Sequence, residues 1–226
     1  MELSGIFVPV TTPFDDSGRL DLMALDAVVE TLLRAGVHGL VAAGTTGEGY
    51  ALSLEERRTV VARVAEIASG SVPVLAGVGG QSTDQAIDHA LLAKTLKVSG
   101  LMVSAPSYCL PNARELTAHV QAVVAAAGLP TVLYDYPART GVSFTIDSLD
   151  ELAVDPLIVG IKEASGDLTR IPLLQDRYGA SLDVVCGSDA AAVAFIDSGA
   201  RCWIGGAANV LPRAHVAMLD VQLRYE

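Results

Sequence analysis

The chain has 226 residues, of which 51% are hydrophobic and 18% charged, and its formal net charge is −11. This composition excludes a disordered or collagen-like chain, and the negative charge disfavours binding to nucleic acid or to an anionic membrane surface. No run of about 18 apolar residues is present to span a membrane. The mean hydropathy of +0.43 instead indicates strands buried on both faces, as in parallel α/β proteins.

The first half of the chain alternates apolar runs with segments of helical spacing. Gly36 follows the first such segment as a typical helix terminator. Ser53, with Glu56 three residues later, forms a capping box for the second. The pattern predicts strands over Ile6–Val10, Gly39–Ala43, Val72–Val78 and Gly100–Ala105, and helices over Leu20–Ala35, Leu54–Ala68, Thr83–Leu96 and Ala113–Ala127.

The second half continues the alternation and brings the number of strand–helix units to eight. Eight units close a (βα)8 or TIM barrel of the α/β class, and we expect one such domain over residues 1–226. A doubly wound sheet would carry a glycine fingerprint, which residues 77–82 supply only in part. The predicted strands are Thr131–Tyr136, Leu157–Ala164, Leu182–Ser188 and Cys202–Ala207, and the helices are a short one after Thr145, then Leu168–Tyr178, Ala190–Asp197 and Pro212–Tyr225.

Lys162 is the strongest candidate for chemistry, because active sites of such barrels lie at the C-terminal ends of the strands. It follows an apolar run inside a predicted buried strand, whereas Lys94 and Lys97 lie three residues apart on a predicted helix. A buried ammonium is costly unless it is paired or neutral. Lys162 is therefore either salt-bridged, for example to Glu163, or an amine that attacks a carbonyl to form a Schiff base.

Tyr134 lies near the end of the preceding predicted strand, beside Lys162. Imine chemistry needs a group that moves protons, and a phenol held by hydroxyl partners such as Thr45 and Tyr108 can do so. Tyr136 points to the same face of an ideal strand, so periodicity alone does not choose between the two tyrosines.

Two further features favour an anionic substrate. The turn at residues 45–48, with sequence TTGE, offers hydroxyls and backbone N–H groups that suit a carboxylate. Arg139, in the loop after the fifth strand, offers a guanidinium that grips a second carboxylate.

Metal binding and secretion have little support in the sequence. The histidines show no ligand spacing, and we expect His89 and His119 to point outward from their helices, so no metal site is predicted. The odd number of cysteines without a CxxC pair, and an N-terminus without a basic segment, predict a cytoplasmic location. The histidines are His38, His89, His119 and His215, and the cysteines are Cys109, Cys186 and Cys202.

Three motifs on successive strand ends together resemble the dihydrodipicolinate synthase / N-acetylneuraminate lyase family. They are GTTGE after the second strand, LYDYPARTG on the fifth and GIKEASG on the sixth. The likeness extends over nearly the whole chain, from residues 7–14 to residues 208–210. It implies a TIM barrel and a class I pyruvate aldolase mechanism that uses no metal or cofactor.

The resemblance also implies roles for individual residues. Lys162 would form a Schiff base with pyruvate, and Tyr134 would shuttle protons through Thr45 and Tyr108. In this family the tyrosine matching Tyr108 can come from a neighbouring subunit, which implies a homo-oligomer, a dimer or tetramer. The substrate-binding residues implied are Thr46 for the pyruvate carboxylate, Arg139 for the carboxylate of aspartate semialdehyde, and Gly187 and Ile204 as pocket lining.

Arg139 favours the synthase branch, which acts in lysine biosynthesis as 4-hydroxy-tetrahydrodipicolinate synthase. An aldolase for 2-keto-3-deoxy sugar acids or N-acetylneuraminate, a phosphosugar isomerase and a non-catalytic shortened barrel are the alternatives. Ser107 and Gln85 replace a tyrosine and a glutamate that lysine-inhibited synthases often have, so we expect no feedback by lysine. Family members continue into a C-terminal helical extension, which we expect this barrel to lack.

Overall fold

Eight parallel strands close into a barrel in the computed structural model, which describes residues 1–223. Each strand pairs with its neighbours in chain order, and β1 closes the ring on β8. The (βα)8 architecture predicted from the sequence is thus confirmed. The strands are β1 Gly5–Pro9, β2 Gly39–Ala42, β3 Val74–Gly77, β4 Gly100–Ser104, β5 Thr131–Asp135, β6 Ile158–Glu163, β7 Asp183–Cys186 and β8 Cys202–Ile204.

Helices follow the strands and cover the outside of the barrel. The predicted bounds of the second and fourth helices are confirmed, because a capping box fixes each start: Ser53 with Glu56, and Asn112 with Glu115. The helices are α1 Leu22–Arg34, α2 Leu54–Ala68, α3 Thr83–Thr95, α4 Ala113–Ala127, α5 Pro137–Thr140, α6 Ile146–Leu152, α7 Arg170–Tyr178, α8 Ala192–Asp197 and α9 Pro212–Leu223. The predicted end of the last helix at Tyr225 lies outside the described residues.

Two short elements at the C-terminal end of the barrel were not expected. Helix α5 is a single turn that opens with Pro137 directly after β5. Strand β8 ends at Ile204, and a 3₁₀ turn over Gly206–Asn209 replaces the last residues of the predicted strand. Both elements lie where the loops build the cavity described below.

The core has two layers, one inside the barrel and one between strands and helices. Side chains of a strand alternate between these layers, so the strands carry apolar residues on both faces, with polar residues mainly near their ends. The interior layer fills the barrel below the C-terminal mouth, where the cavity described below opens. Its members include Phe7, Val41, Leu75, Met102, Val132 and Val185.

The pairing of β5 with β6 sets the geometry of the mouth. A register shift between Thr131 and Val132 interrupts the ladder near its start. Beyond it Tyr134 pairs with Lys162, and the next pair is Asp135 with Glu163. The first pair faces the interior, and the second faces the helices.

The expectation that His89 and His119 point outward is wrong, because both are buried, at 7% and 3% exposure. His89 Nδ1 lies 3.1 Å from the carbonyl oxygen of Gly79, and His119 Nδ1 lies 3.0 Å from the hydroxyl of Thr83. A hydrogen-bond partner outside its own helix thus lets each ring pack inward. Burial lowers the pKa of both histidines.

Among residues 1–223 no group of three or more His, Cys, Asp and Glu side chains is arranged to hold a metal ion. The helices within the same range are all too short or too polar to cross a bilayer.

Candidate active site

A cavity of about 1050 Å³ opens at the C-terminal ends of the strands. Seven of the eight residues singled out from the sequence line it. They are Thr45, Thr46, Tyr134, Arg139, Lys162, Gly187 and Ile204. The eighth, Tyr108, lies outside the cavity and is 94% exposed, at a backbone φ of 76°.

Lys162 lies at the base of this cavity with 5% of its surface exposed. No carboxylate lies within ion-pair distance of its amine in the part of the chain that the structure describes, so the salt bridge to Glu163 does not form. Instead Nζ lies 4.1 Å from the centre of the Tyr134 ring. Burial lowers the pKa of Lys162 to about 8, against a smaller opposing effect of the Asp189 charge.

This pKa matters because only a neutral amine is a nucleophile. At pH 7 an ordinary lysine is neutral in about one molecule in a few thousand, whereas a pKa of 8 makes it neutral in about one in ten. Lys162 is therefore poised to attack a carbonyl carbon in the cavity.

Tyr134 stands directly beside the amine on β5. Burial raises its pKa to about 12, and a hydrogen bond with the Thr45 side chain lowers it in part. The phenol thus keeps its proton at neutral pH and shares it with a hydroxyl. Tyr136 stacks on Tyr134, with ring centres 5.7 Å apart, so both tyrosines face the cavity as the alternation of a strand predicts.

The turn after β2 is held by close backbone packing. Ala43 and Glu48 have backbone φ values of 50° and 53°, which residues other than glycine rarely adopt. A Cβ at Gly49 would collide with the carbonyl oxygen of Ala43. The Thr12 hydroxyl donates to the Gly47 carbonyl at 2.6 Å. This packing presents Thr45 and the next threonine to the cavity.

Arg139 lies on α5 at the edge of the cavity. Its guanidinium carbon is 6.0 Å from the centre of the Tyr136 ring. No carboxylate among residues 1–223 pairs with it, so its charge is available to an anion in the cavity.

Asp189 follows β7 and was given no role in the sequence analysis. Its Oδ1 accepts from Trp203 Nε1 and its Oδ2 from the backbone N–H of Ala207, both at 3.1 Å. It thereby ties the end of β7 to β8 while its charge acts on Lys162. The sequence places Asp189 at a strand end, but it does not reveal these contacts, because the partners lie 14 and 18 residues away.

The lining of the cavity also includes residues of α2 and α3, among them Arg57. The Arg57 guanidinium donates to the carbonyl oxygens of Gly77 and Gly49, each at 2.5 Å. It is 3% exposed and pairs with no carboxylate of the described residues, and burial lowers its pKa to about 10. Nothing in the sequence indicates this burial, since Arg57 has the position of an ordinary polar residue on a helix. Gln85 and Ser107 also line the cavity.

The dihydrodipicolinate synthetase family model matches residues 2–224. The 4-hydroxy-tetrahydrodipicolinate synthase of Sorangium cellulosum is 40% identical over 215 residues, which cover 94% of this chain and 71% of that protein. The structure of the 4-hydroxy-tetrahydrodipicolinate synthase from Methylacidiphilum fumariolicum SolV superposes with a TM-score of 0.95 at 32% identity, covering 99% of this chain and 74% of that one.

The structure of CdNal from Clostridium difficile in complex with mannosamine also superposes with a TM-score of 0.95, covering 99% of this chain and 77% of that one. Its sequence identity is 20%, so this likeness shows a shared fold alone. The chain thus spans about three quarters of the length of the proteins it matches. Because the family match covers nearly its whole length and the motifs lie at the mouth of the expected barrel, the chain belongs to the dihydrodipicolinate synthetase family, an enzyme of the pyruvate-dependent class I aldolase type.

Proposed function

We propose that Lys162 forms a Schiff base with pyruvate and that the enzyme joins the resulting enamine to an aldehyde. The observation that carries this is a buried amine without a carboxylate partner, 4.1 Å from the centre of a tyrosine ring at the base of the cavity. The neutral amine attacks the ketone carbon of pyruvate, and loss of water leaves an iminium. Loss of a methyl proton then gives the enamine, which attacks the aldehyde carbon and becomes an iminium again. Water cleaves this iminium, which releases the product as a ketone and restores the amine of Lys162.

Tyr134 is the proton carrier of this proposal. It donates a proton to the departing hydroxyl, recovers one when its phenolate takes the methyl proton, and donates that proton to the alkoxide that forms on the aldehyde. Thr45 hydrogen-bonds to its side chain. Because the iminium on Lys162 supplies the electron sink, the mechanism calls for no metal or cofactor.

The substrates follow from the charges around the amine. The turn with Thr45 and Thr46 suits the carboxylate of pyruvate, with Gly187 and Ile204 as walls. Arg139, unpaired at the cavity edge, suits a second carboxylate on the aldehyde. Aspartate semialdehyde carries one, and relatives 35–40% identical are named 4-hydroxy-tetrahydrodipicolinate synthase. We therefore assign that activity to the chain, with a sugar-acid aldolase as the second candidate.

Tyr108 has a place in this mechanism only across two copies of the chain. It is almost fully exposed and outside its own cavity, so we propose that it reaches the Tyr134 of a second copy in a homo-oligomer, a dimer or tetramer.

Borohydride trapping tests the nucleophile. Pyruvate plus borohydride is expected to add one pyruvate-derived group, and peptide mapping is expected to place it on Lys162. The chain has only two other lysines, Lys94 and Lys97, both exposed, and Lys97→Ala is the matched control that retains the adduct. An adduct on either of those lysines, or none, overturns the mechanism.

Substrate preference needs a second measurement. Initial rates are compared with aspartate semialdehyde and with the reverse cleavage of a 2-keto-3-deoxy sugar acid and of N-acetylneuraminate. We expect turnover of the first alone, and a loss of that preference in Arg139→Gln. Faster cleavage of a sugar acid would move the assignment to the second candidate.

A further inference from the structure

A cluster of buried charges lies on the outer side of the barrel, directly behind Tyr134 and Lys162. Arg170 Nε donates to Glu163 Oε2 at 2.9 Å, and its Nη2 donates to Asp135 Oδ2 at 2.8 Å. Both carboxylates are 1% exposed. One guanidinium therefore bridges the last residues of β5 and β6.

The position of this bridge follows from the strand register. Asp135 pairs with Glu163 one step after Tyr134 pairs with Lys162. Because side chains alternate along a strand, the carboxylates point to the helices while the tyrosine and the amine point into the cavity. The bridge thus fixes the backbone positions that carry the reacting groups.

Other contacts make the bridge rigid. The Ser143 hydroxyl donates to Asp135 at 2.6 Å, the Ser165 N–H donates to Glu163 at 2.6 Å, and Arg170 also donates to the Phe144 carbonyl at 3.2 Å. The cluster ties β5 and β6 to α7 and to the loop before α6.

Stability alone does not account for this arrangement. Two buried carboxylates share one cation, one oxygen of Asp135 has no partner, and burial raises the pKa of Asp135 to about 6. Arg170 is also the first residue of α7, where a cation opposes the helix dipole and no side chain caps the helix. Buried ion pairs often add no net stability over apolar packing, and fixing a register is their best-attested use.

The register of β5 against β6 needs a constraint of this kind. The ladder of this pair is interrupted by a register shift at Thr131 and Val132, so the early hydrogen bonds do not fix the later ones. A second constraint at the far end of the pair defines the spacing where Tyr134 meets Lys162.

We propose that Arg170 is a positioning residue, which aligns Tyr134 with Lys162 by bridging Asp135 and Glu163. This inference rests on the proposed function, since it assumes that the tyrosine and the amine react with substrate. A misplacement of about 1 Å at a distance from the chemistry can cost about 100-fold in rate, so the loss of the bridge is expected mainly in kcat.

The test compares Arg170→Gln and Arg170→Lys with Arg177→Gln. Lysine keeps the charge but lacks the fork that spans two carboxylates, and it serves as the second variant if glutamine disturbs folding. Arg177 is the matched control, because it lies on the same helix and pairs with the exposed Asp150 at 2.9 and 2.5 Å. Steady-state rates are measured at a temperature at which circular dichroism shows every variant to be folded.

Both Arg170 variants are expected to lose at least about tenfold in kcat, with KM for pyruvate within about threefold, while Arg177→Gln keeps both. Wild-type kcat in folded Arg170→Gln and Arg170→Lys overturns the inference, as does a kcat fully restored by lysine, because charge alone would then be sufficient. Borohydride trapping of the wild-type protein separates the two proposals. An adduct on Lys162 with unaffected Arg170 variants overturns only the positioning role, whereas no adduct overturns both.

Discussion

Lys162 keeps its charge in the folded protein at an energetic cost. Its pKa falls from an ordinary value of 10.5 to about 8 because the amine is buried, a difference worth about 3 kcal/mol. Between these two values the unfolded chain binds the proton more tightly than the folded one. The cost is therefore fully present below pH 8 and fades as the pH rises to 10.5.

Lys162→Met is accordingly expected to raise the free energy of unfolding by up to about 3 kcal/mol at pH 7, while it removes activity. Urea unfolding at pH 7 and at pH 9.5 measures the gain, which is expected to be smaller at the higher pH. Lys94→Met, on an exposed helix face, is the control and should change neither. A less stable Lys162→Met at pH 7 would show that the amine has stabilising partners.

Tyr134 and Tyr136 stack on one another but differ in what they can do. Tyr134→Phe removes the hydroxyl beside Lys162 and is expected to lower kcat by about 10²–10⁴-fold, the range of general acid–base groups. Tyr136→Phe keeps the ring that packs against Tyr134 and Arg139 and should retain most activity, and Thr45→Val should lie between them. Steady-state kinetics with pyruvate and the aldehyde measure these losses. A greater loss of kcat in Tyr136→Phe than in Tyr134→Phe would make Tyr136 the proton carrier.

The sequence identifies residues whose position on a strand is itself unusual. Lys162 stands out because a charge follows an apolar run, and Tyr134 because it is on the adjacent strand. Asp189 and Arg57 do not stand out, since each becomes significant only through contacts across loops. Arg170 is hidden for the same reason, as its partner Asp135 is 35 residues away.

At the scale of elements, local signals fix helices that begin with a side-chain cap. Ser53 and Asn112 set the starts of α2 and α4 because they satisfy backbone N–H groups at once. The single turn of α5 is too short for any periodicity to reveal. The inward orientation of His89 and His119 depends on partners on a loop and on a neighbouring helix, which helical spacing does not show.

The part of the cavity lining that α2 and α3 supply leads to a prediction about regulation. An amino acid with a second ammonium bound there would meet Arg57, a buried cation that pairs with no carboxylate of residues 1–223, and Gln85 in place of a carboxylate. Lysine at millimolar concentration is therefore expected not to inhibit. Initial rates are titrated with lysine against sodium chloride of equal ionic strength, and inhibition that saturates in this range would contradict the prediction.

For the whole molecule, counting the strand–helix units is enough to predict the barrel, because eight parallel strands, each followed by a helix, close on themselves. The sequence does not show how copies of the chain meet, since that depends on surfaces rather than on periodicity. Tyr108 connects the proposed mechanism with the assembly of the chain, because it is proposed to act in the cavity of a second copy.

Complementation tests its role across copies. Lys162→Ala and Tyr108→Phe, each impaired alone, are co-expressed so that mixed oligomers form. Sites that combine Lys162 from one copy with Tyr108 from another should recover, and activity should exceed the sum of the separate variants. Sedimentation establishes the assembly, and a mixture no more active than its parts would place Tyr108 outside the mechanism.

The hydrogen bond between Trp203 and Asp189 gives this enzyme an intrinsic optical reporter. Trp203 is the only tryptophan of the chain, is 3% exposed, and donates to a carboxylate whose charge acts on Lys162. Above pH 8 the free amine is mostly neutral, so the permanent positive charge of the iminium alters the field at that carboxylate and hence at the indole. Adding pyruvate alone at about pH 9.5 should therefore change the fluorescence emission of the wild-type protein and leave that of Lys162→Met unchanged, so that occupancy of the first substrate can be followed before any aldehyde is present.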